Sequence, residues 1–391
     1  MDVDLFDPDI ISSPHAPLGE IRDRCPVLWS DRHQMWILLG YNACRTTLRA
    51  HELAARSTTR PRGGRKLGPL QRVQASWFLQ MDPPEHTPLR KFFAAYFTPR
   101  QIRRIEQLAE EAADELLDRL DPDDCDFVRD FAVPLPSLMI SKLLGTSAAE
   151  VGLYQRWVQA VLAVQELDRT LDDIANADRA ARESQEFFAG LIEERRARPA
   201  DDIVSYALAE RDPEVITDEL LRANLFLLLA AGQDTTINLL ANGMLAFAGN
   251  PGEWGKLRGD PGLSASATEE ILRYDGPAMV TGRVALSGLE IDGNHIADGL
   301  PLVLFLGIAN RDPRQFAEPD AFQVERSPNH HLGFGFGVHH CLGAPLTRLE
   351  ARIAFRALAT RVREVKLNGD VKRPGLLMNR GTATLPVRLS R

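Results

Sequence analysis

The chain has 391 residues, of which 44% are hydrophobic and 26% are charged, a composition typical of globular proteins. Its formal net charge of −8 argues against a nucleic-acid-binding protein, which usually carries a basic face. This length permits several domains, but no linker or internal repeat divides the sequence, so we predict one domain over residues 1–391.

The N-terminus and the cysteine content favour a cytoplasmic protein. The first residues, MDVDLFDPDI, are acidic and lack the basic and apolar regions of a signal peptide. The most apolar run, LFLLLAAG (225–232), is too short to span a bilayer. No CxxC pair or disulfide framework is evident among the cysteines, which are Cys25, Cys44, Cys125 and Cys341.

The first predicted elements are a small sheet near the N-terminus and a helix that follows it. PVLW (26–29) and MWILLG (35–40) are short apolar runs typical of strands. The basic run RPRGGRK (60–66) is interpreted as a solvated loop. Between Gln101 and Leu120 apolar residues recur at steps of three and four, which predicts an amphipathic helix. Its expected buried stripe is Ile102, Ile105, Leu108, Ala112, Leu116 and Leu120.

A longer helix is predicted to begin after Thr217 and to end at Gly249. Thr217 can cap it, and the acidic residues Asp218 and Glu219 favour the helix dipole in the first turn. No stop signal precedes Gly249-Asn250-Pro251. Roughly thirty residues at ~1.5 Å rise give a rod of about 45 Å. Because its middle is apolar on all sides, we expect this helix to run through the centre of the molecule.

The motif AGQDTT (231–236) is unusual inside so apolar a helix. Glycine costs about 1 kcal/mol relative to alanine in a helix interior, and a buried carboxylate without a partner is unfavourable. One interpretation is a local helix defect that faces solvent. The other is functional, because Gly232 lets another group approach the helix backbone and Asp234 beside a hydroxyl can relay a proton.

Two weaker signals follow downstream. The segment EEILRY places Glu270 and Arg273 three residues apart on one helix face, a pair that is uninformative alone. The segment PDAFQVER (319–326) predicts a polar coil that ends at Arg326.

The remaining strand signals lie in the second half of the chain. GRVALSGLEIDGNHI (282–296) alternates and turns at Asp292-Gly293, which predicts a hairpin. The last residues, TATLPVRLS (382–390), are expected to be extended. Together with the helices, these elements predict a mainly α fold with small β-sheets.

The segment FGFGVHHCLG (334–343) places Cys341 between a glycine-rich turn and a predicted helix start. Pro345 suits the first turn of that helix. Its apolar residues then continue with helical spacing at Leu346, Leu349, Ile353 and Leu358. A helix N-terminus stabilises an anion, and glycines let backbone amides approach the sulfur. The pattern therefore predicts a site for a thiolate.

Four uses of this cysteine compete. A lone cysteine is commonly a buried, inert residue. A zinc site is conceivable with His330, His331, His339 and His340, although adjacent residues rarely chelate one ion well. A nucleophilic cysteine–histidine pair explains neither the glycines nor AGQDTT. Haem iron with an axial thiolate accounts for all of these features, since the thiolate favours O–O cleavage and an acid–hydroxyl pair supplies protons.

The sequence resembles the cytochrome P450 family. FGFGVHHCLG is similar to its haem-binding loop, F-G-x-G-x-H-x-C-x-G, AGQDTT to its oxygen-activating helix, EILR to its ExxR pair and PDAFQVER to its meander. HTPLR (86–90) resembles its H-x-x-x-R helix, and TGRVA (281–285) resembles a strand with a second propionate-binding arginine. The motifs follow the family order and look like the soluble bacterial branch. The resemblance implies the cytochrome P450 fold, with haem between the long central helix and the helix after the cysteine loop.

By this resemblance haem b (iron protoporphyrin IX) is the cofactor and Cys341 its iron ligand. Phe334 would pack beside the sulfur, and Gly343 belongs to the loop around it. His339 would bind a haem propionate.

Further propionate ligands would be Arg90, Arg283 and His86. Pro88 is typical of a first helical turn, so a helix that starts at Thr87 would leave His86 outside it and away from the haem.

The resemblance also implies the chemistry. Asp234 and Thr235 would form the acid–alcohol pair that delivers protons, and Gly232 would leave room for dioxygen. One oxygen atom would enter a C–H bond or a double bond, and the other would leave as water. Electrons would come from NAD(P)H through a ferredoxin reductase and an iron–sulfur ferredoxin that docks near Arg90, Lys91 and Arg100.

Glu270, Arg273 and Arg326 resemble the structural network of the family and would do no chemistry. His331 and His340 are expected to be packing or surface residues.

The expected substrate is small and largely apolar, as for a natural-product intermediate such as a terpenoid, polyketide or macrolide. The distal cavity would be lined by Leu227, Ala230, Met279 and Val280. We expect a monomer that binds neither nucleic acid nor membrane. Two alternatives remain, a peroxide-driven or isomerising haem-thiolate enzyme and a non-catalytic haem-binding protein. The Asp234-Thr235 pair argues against both.

Overall fold

The computed structural model describes residues 3–54, 67–166 and 169–390, so the basic run at 60–66 lies outside the described residues. The chain forms two compact units. Unit 1 comprises Met1–Leu53, Ile102–Pro136 and Thr235–Arg391, and unit 2 comprises Ala54–Gln101 and Ser137–Asp234. One domain over the whole chain stays a prediction.

The described residues are mainly helical, with short strands, as the sequence predicts. The α-helices are α1 Pro8–Ser12, α2 His15–Arg24, α3 Tyr41–Thr47, α4 Pro69–Ala75, α5 His86–Ala94, α6 Pro99–Arg119, α7 Pro134–Leu144, α8 Val151–Ala163, α9 Leu171–Ala197, α10 Ile203–Glu210, α11 Asp218–Gly249, α12 Pro251–Gly259, α13 Ser264–Asp275, α14 Leu306–Ala309 and α15 Ala344–Arg361. The β-strands are β1 Val27–Ser30, β2 Met35–Leu38, β3 Leu53–Ala54, β4 Cys125–Asp126, β5 Val280–Ala285, β6 Leu289–Ile291, β7 Asn294–Ile296, β8 Pro301–Phe305, β9 Glu364–Leu367 and β10 Pro386–Ser390.

The predicted N-terminal sheet forms in unit 1. β1 pairs with β2 in antiparallel fashion, β2 pairs with β8 in parallel, and β8 pairs with β5 in antiparallel fashion. The C-terminal strand β10 lies between β4 and β9. These pairings confirm the two N-terminal strands and the extended C-terminus.

The predicted hairpin over residues 282–296 is shorter than expected. Only β6 and β7 form it, with a turn in which Asp292 (φ 51°) and Gly293 (φ 75°) are both left-handed. Residues 280–285 instead form β5, which pairs with β8. The separating Ser287-Gly288 is a turn-forming pair that interrupts the alternation.

The predicted amphipathic helix forms as α6 and Ile102 and Leu120 are buried as expected, but the buried face between them differs from the one expected. The residues that are buried are Ile102, Ala109, Ala113, Leu117 and Leu120, whereas Ile105, Leu108, Ala112 and Leu116 are only half-buried. Acidic residues one turn from this stripe pair with arginines of α15, as in the contacts of Glu106 with Arg352 and of Glu110 with Arg356. The small alanines therefore lie on the side of α6 that faces α15.

The long helix α11 confirms the predicted boundaries. The amide of Leu220 donates to the hydroxyl of Thr217 at 3.3 Å, which caps the helix, and the helix ends at Gly249. Residues 225–230 are buried, as expected for a central helix, but Ala231 is exposed and Gly232 is partly exposed. The apolar sequence of the helix therefore predicts more burial than is observed at the first two residues of the AGQDTT motif.

In unit 1 the second half of α11 packs along α15 and α13. A Cβ atom added at Gly243 would lie 2.5 Å from Phe355 Cζ and 2.7 Å from Ile271 Cδ1, so glycine is required for this approach. Nearer the middle of α11, the hydroxyl oxygens of Thr236 and Thr347 lie 3.5 Å apart. The contacts place α15, the helix after the cysteine loop, beside the central helix.

In unit 2 helix α9 packs against α4, α8 and α10. Trp157 of α8 lies in an aromatic cluster with Phe187 of α9 and Phe226 of α11. Across the described residues, no helix combines the length and the apolar character needed to cross a membrane.

Candidate functional site

Cys341 lies in a tight loop just before α15. Its amide donates to the carbonyl oxygen of Phe334 at 2.9 Å, and the carbonyl of Gly343, the N-cap, accepts from the amide of Thr347 at 2.9 Å. Gly337 has a φ of 74°, and a Cβ atom there would lie 2.3 Å from the carbonyl oxygen of Leu48. The backbone path that presents the cysteine therefore depends on glycine.

The chemistry of this donor set fits one axial thiolate on haem iron better than a chelated zinc ion. Cys341 is partly exposed and lies at a helix start. No group of three or more His, Cys, Asp or Glu side chains in the described residues is placed to share a metal ion. His331, one candidate zinc ligand, instead contacts Glu269 at 2.9 Å and is nearly buried. A single cysteine at this position suits a haem, because the porphyrin would supply most of the iron ligands and the protein would need to provide only the thiolate.

The aromatic side chain expected beside the sulfur lies in the same loop. Phe334 is half-buried, and its ring centroid is 6.3 Å from that of His340 and 6.0 Å from that of His331. The guanidinium of Arg348 lies 4.5 Å from the centroid of the Phe334 ring. His331 and His340 thus pack against Phe334, as expected. Sequence reasoning missed Arg348, because its position in a helix gives no sign of a contact with Phe334.

The acid of the AGQDTT motif is buried and hydrogen-bonded. Asp234 is 8% exposed, and its Oδ1 accepts a hydrogen bond from Gln159 Nε2 of α8 at 3.0 Å. The preceding residue, Gln233, donates to Ser137 Oγ of α7 at 2.9 Å. Sequence reasoning missed Gln159 and Ser137, because neither belongs to a recognisable motif.

The glycine and the alcohol of this motif differ in their surroundings. Thr235 and Gly232 are partly exposed on the same helix as the buried Asp234. A Cβ atom at Gly232 would lie 3.1 Å from Ile140 Cδ1, so packing against α7 is one reason for glycine. The helix is therefore accessible at Ala231 and Gly232, as it would have to be if a cofactor or ligand bound against it.

Helix α5 begins at His86, so the alternative in which the helix starts at Thr87 and leaves His86 outside does not apply. The first four amides of a helix have no partner within it, so a proline at the third position removes no hydrogen bond. His86 is buried, at 2% exposure. Burial, followed by the positive charge of Arg90, lowers the pKa of His86, while Asp82 opposes the shift. The imidazole is therefore neutral near pH 7 and lies on the same helix face as Arg90.

The other two expected propionate ligands lie in unit 1. Arg283 of β5 is 9% exposed, and its Nη1 donates to the carbonyl of Gly282 at 2.7 Å and to Thr281 Oγ1 at 3.3 Å. His339 lies in a short 3-10 turn, Gly337–His339, two residues before Cys341, and is half-buried. Both side chains combine burial with donor groups, which suits a carboxylate partner.

The acid–arginine network is fully formed in unit 1. Glu270 and Arg273 are both 0% exposed and share two hydrogen bonds of 2.8 Å. Glu270 also accepts from Arg326 at 3.1 Å, from the amide of Gln323 at 2.8 Å and from Asn329 at 3.1 Å. Arg273 donates further to the carbonyl oxygens of Asn310, Pro319 and Ala321. These contacts attach residues 319–329 to α13 and leave no group of the pair available for chemistry.

The residues predicted to line the substrate cavity are all buried. Leu227 and Ala230 belong to unit 2 and are 3% and 9% exposed. Met279 and Val280 belong to unit 1 and are 1% and 8% exposed. A Cβ atom at Gly307 would lie 2.1 Å from Met279 Sδ, so Met279 packs directly on Gly307. Their part in substrate binding stays a prediction.

Comparisons with known proteins give the family. The family model for cytochrome P450 matches residues 264–374. The polyketide biosynthesis cytochrome P450 PksS of Bacillus subtilis is 33% identical over 395 residues, which cover 97% of this chain and 96% of PksS. The 6-deoxyerythronolide B hydroxylase of Saccharopolyspora erythraea is 38% identical over 316 residues, 79% of this chain and 76% of that protein.

A solved structure agrees with these relatives. The crystal structure of P450BioI in complex with hexadec-9Z-enoic acid ligated acyl carrier protein matches with a TM-score of 0.93 and 31% identity, covering 98% of this chain and 99% of that one. Identity at this level, sustained over nearly the full length of both PksS and this chain, means that the protein belongs to the cytochrome P450 family.

Proposed function

We propose that this cytochrome P450 monooxygenase hydroxylates or epoxidises an apolar acyl or polyketide-type natural product, with electrons from NAD(P)H delivered by a ferredoxin reductase and a ferredoxin. The observation that carries the proposal is Cys341, partly exposed in a glycine-dependent loop at the start of α15. The bound haem would supply an iron centre that activates dioxygen for transfer of one oxygen atom. The remaining roles belong to side chains of this chain.

The side chains that would hold the haem divide into one iron ligand and several propionate ligands. Cys341 would provide the thiolate. His339, Arg90 and Arg283 would bind the propionates as cations or donors, and the neutral imidazole of His86 would donate a hydrogen bond. Phe334 and Gly343 would exclude water from the sulfur side.

Proton delivery would depend on α11. The carboxylate of Asp234, held by Gln159, would pass protons toward the hydroxyl of Thr235. The absence of a side chain at Gly232 would leave space for dioxygen beside the helix. This intact acid–alcohol pair supports oxygen-dependent turnover over the peroxide-driven, isomerising and non-catalytic alternatives.

The substrate class is supported by the relatives and by the predicted cavity wall. PksS is named for polyketide biosynthesis, and the P450BioI structure contains a fatty acid on an acyl carrier protein. The residues proposed for the wall are apolar, and they are Leu227, Ala230, Met279 and Val280. A long apolar chain, free or carried by a protein, would match such a wall.

The electron donor would dock at basic side chains of α5 and of the start of α6. Lys91 and Arg100 are exposed and Arg90 is partly exposed. An acidic iron–sulfur protein would be attracted to such a surface. We also propose that the enzyme is a cytoplasmic monomer.

The test begins with haem binding and then separates the alternatives. The reduced carbon monoxide complex should show the strongly red-shifted Soret band of a thiolate ligand, and Cys341→Ser should abolish it. A band that persists in Cys341→Ser contradicts the ligand assignment. Turnover with ferredoxin, its reductase and NAD(P)H should exceed turnover with peroxide alone, and the reverse result would support a peroxide-driven enzyme. A spectral screen with fatty acids, free and carrier-bound, then identifies compounds that shift the ferric spin state.

A further inference from the structure

Four side chains around the cysteine loop form what we call the Glu269 cluster, which comprises Glu269, His331, Phe334 and Arg348. Arg348 of α15 binds Glu269 of α13 through two hydrogen bonds, Nε to Oε1 at 2.7 Å and Nη2 to Oε2 at 2.9 Å. This bidentate geometry fixes the plane of the guanidinium as well as its position. Glu269 precedes Glu270 of the acid–arginine network, so two adjacent acids serve different partners.

His331 completes the anchoring of Glu269. The amide of Gly333 donates to His331 Nδ1 at 3.1 Å, so Nδ1 is an acceptor and the proton of the neutral ring is on Nε2. That Nε2 lies 2.9 Å from Glu269 Oε2. Burial raises the pKa of Glu269, but hydrogen bonds from Arg348 and His331 outweigh it and lower the pKa to about 2. Glu269 is therefore an anion at every pH at which the protein would work.

The positive end of this cluster points toward the cysteine loop. The guanidinium of Arg348 lies 4.5 Å from the centroid of the Phe334 ring, within the range of a cation–π contact. The backbone carbonyl of Phe334 accepts the amide hydrogen of Cys341 at 2.9 Å. The hydrogen bond to Glu269 raises the pKa of Arg348, although burial opposes the shift, so the guanidinium keeps its charge. The contact with Phe334 places that charge against the residue whose backbone binds the amide of Cys341.

We propose that Glu269 positions Arg348 as a fixed positive charge beside the cysteine loop, and that this charge favours one-electron reduction of the haem iron. The inference rests on the proposed haem ligation by Cys341. Reduction from ferric to ferrous adds one electron and hence one negative charge to the iron–thiolate unit. A nearby cation stabilises that added charge, more so in surroundings of low dielectric. Glu269 is the positioning residue in this proposal, because it would act only through the placement of Arg348.

A structural role for the same pair predicts a different result, and the next turn of α15 offers a matched control. Arg352 pairs with Glu106 of α6 at 2.6 Å. Its side chain is 39% exposed, against 41% for Arg348, so the two arginines differ little in solvation. Among the cation–π contacts of the described residues, the one with the Phe334 ring is made by Arg348 and not by Arg352. Loss of an ion pair alone should therefore affect both arginines equally, whereas loss of a charge beside the cysteine loop should affect Arg348 only.

The experiment measures the ferric/ferrous equilibrium of the haem-loaded protein by spectroelectrochemistry. In Arg348→Leu the reduction equilibrium should shift at least threefold toward the ferric state, where tenfold corresponds to about 59 mV for one electron. In Arg352→Leu it should stay unchanged. Because Arg348 is partly exposed, the shift should shrink as salt is added. An unshifted Arg348→Leu, or an equal shift in Arg352→Leu, overturns the proposal.

The sign of the shift in Glu269→Gln tests the positioning role. If Glu269 acts by holding Arg348 in place, its loss should move the equilibrium toward ferric, as in Arg348→Leu. If the two residues act only as independent charges, removal of an anion should move it toward ferrous, and that outcome overturns the positioning role. Arg348→Lys keeps the charge but loses the bidentate contact with Glu269. Its reduction equilibrium should therefore shift in the same direction as in Arg348→Leu but by less. This variant provides the test if Arg348→Leu does not fold.

The proposed haem ligation is tested separately in the unaltered protein. A reduced carbon monoxide complex without the red-shifted Soret band would refute the ligation itself. A normal band together with an unshifted Arg348→Leu would refute only the role of Arg348.

Discussion

Gln159 Nε2 donates a hydrogen bond of 3.0 Å to Oδ1 of Asp234, which joins α8 to the acid of the central helix. Replacement by Gln159→Leu should remove this donor and let the carboxylate change rotamer. We expect haem binding to persist while the fraction of electrons that reaches product falls several-fold. The measurement is hydrogen peroxide released per NAD(P)H consumed, with Gln155→Leu, one turn earlier on α8, as control. Equal coupling in the two variants would contradict a positioning role for Gln159.

Thr235→Ala tests the alcohol of the same motif. The variant should still bind haem, because Thr235 is not among the proposed haem ligands, but it should divert reducing equivalents to hydrogen peroxide. Thr236→Ala is the control. The hydroxyl oxygen of Thr236 lies 3.5 Å from that of Thr347, and Thr236 has no assigned part in proton delivery. Full coupling of electrons to product in Thr235→Ala would show that the assigned role is wrong.

The buried pair of Glu270 and Arg273 should dominate local stability. Arg273→Met leaves the 0%-exposed Glu270 with fewer donors and strands several carbonyl groups. Removal of one partner of a buried ion pair costs about 3–5 kcal/mol, which urea unfolding would measure. As control, Arg119→Ala breaks an exposed pair with Glu115 and should change the free energy of unfolding by less than about 1 kcal/mol. Similar effects in both variants would show that burial does not strengthen the first pair.

The features that sequence predicted well are those set by local chemistry. The limits of α11 follow from a capping threonine and a Gly-Asn-Pro stop, and both are confirmed. The Asp292-Gly293 turn is also confirmed. It was predictable because few other residue pairs adopt two successive left-handed conformations. The cysteine loop motif, together with the order of the other motifs, predicted the family and its fold, which the relatives confirm.

The features that sequence missed depend on partners distant in the chain. The buried face of α6 contains Ala109 and Ala113 in place of the larger Leu108, because α15 approaches closely and supplies arginines for the flanking acids. Gln159 carries no pattern that marks it as a partner of Asp234, 75 residues away. Pro88 alone does not fix whether His86 belongs to α5, because proline is compatible with every position of the first helical turn.

The packing of α11 against α15 depends on one glycine. Gly243→Ala places a Cβ atom 2.5 Å from Phe355 and 2.7 Å from Ile271, so both side chains must move. Overpacking of this kind costs about 1–3 kcal/mol. Gly255→Ala in α12 is the matched control, because no atom lies within 4 Å of the added Cβ. That variant should instead stabilise the protein by about 0.5–1 kcal/mol through helix propensity. Thermal unfolding would show the opposite signs, and a stabilised Gly243→Ala would contradict the close approach.

Glu350 of α15 should make stability fall as pH rises. The side chain is 2% exposed, and its Oε2 has no hydrogen-bond partner among the described residues. Burial raises the pKa of Glu350 well above its usual value, which favours the neutral carboxyl group in the folded protein.

The sign of the effect follows from proton binding. Above the unfolded-state pKa of about 4.3 the folded protein binds one more proton at this site than the unfolded chain. The free energy of unfolding should then decrease by up to about 1.4 kcal/mol per pH unit until the folded-state pKa is passed. Glu350→Gln keeps the shape and removes the proton equilibrium, so its stability relative to the unaltered protein should rise with pH between the unfolded-state pKa and the folded-state pKa. Urea unfolding at several pH values measures this difference. If the difference in the free energy of unfolding does not change with pH, Glu350 is ionised inside the fold. Only a carboxyl group that is protonated in the folded protein makes the free energy of unfolding fall as the pH rises.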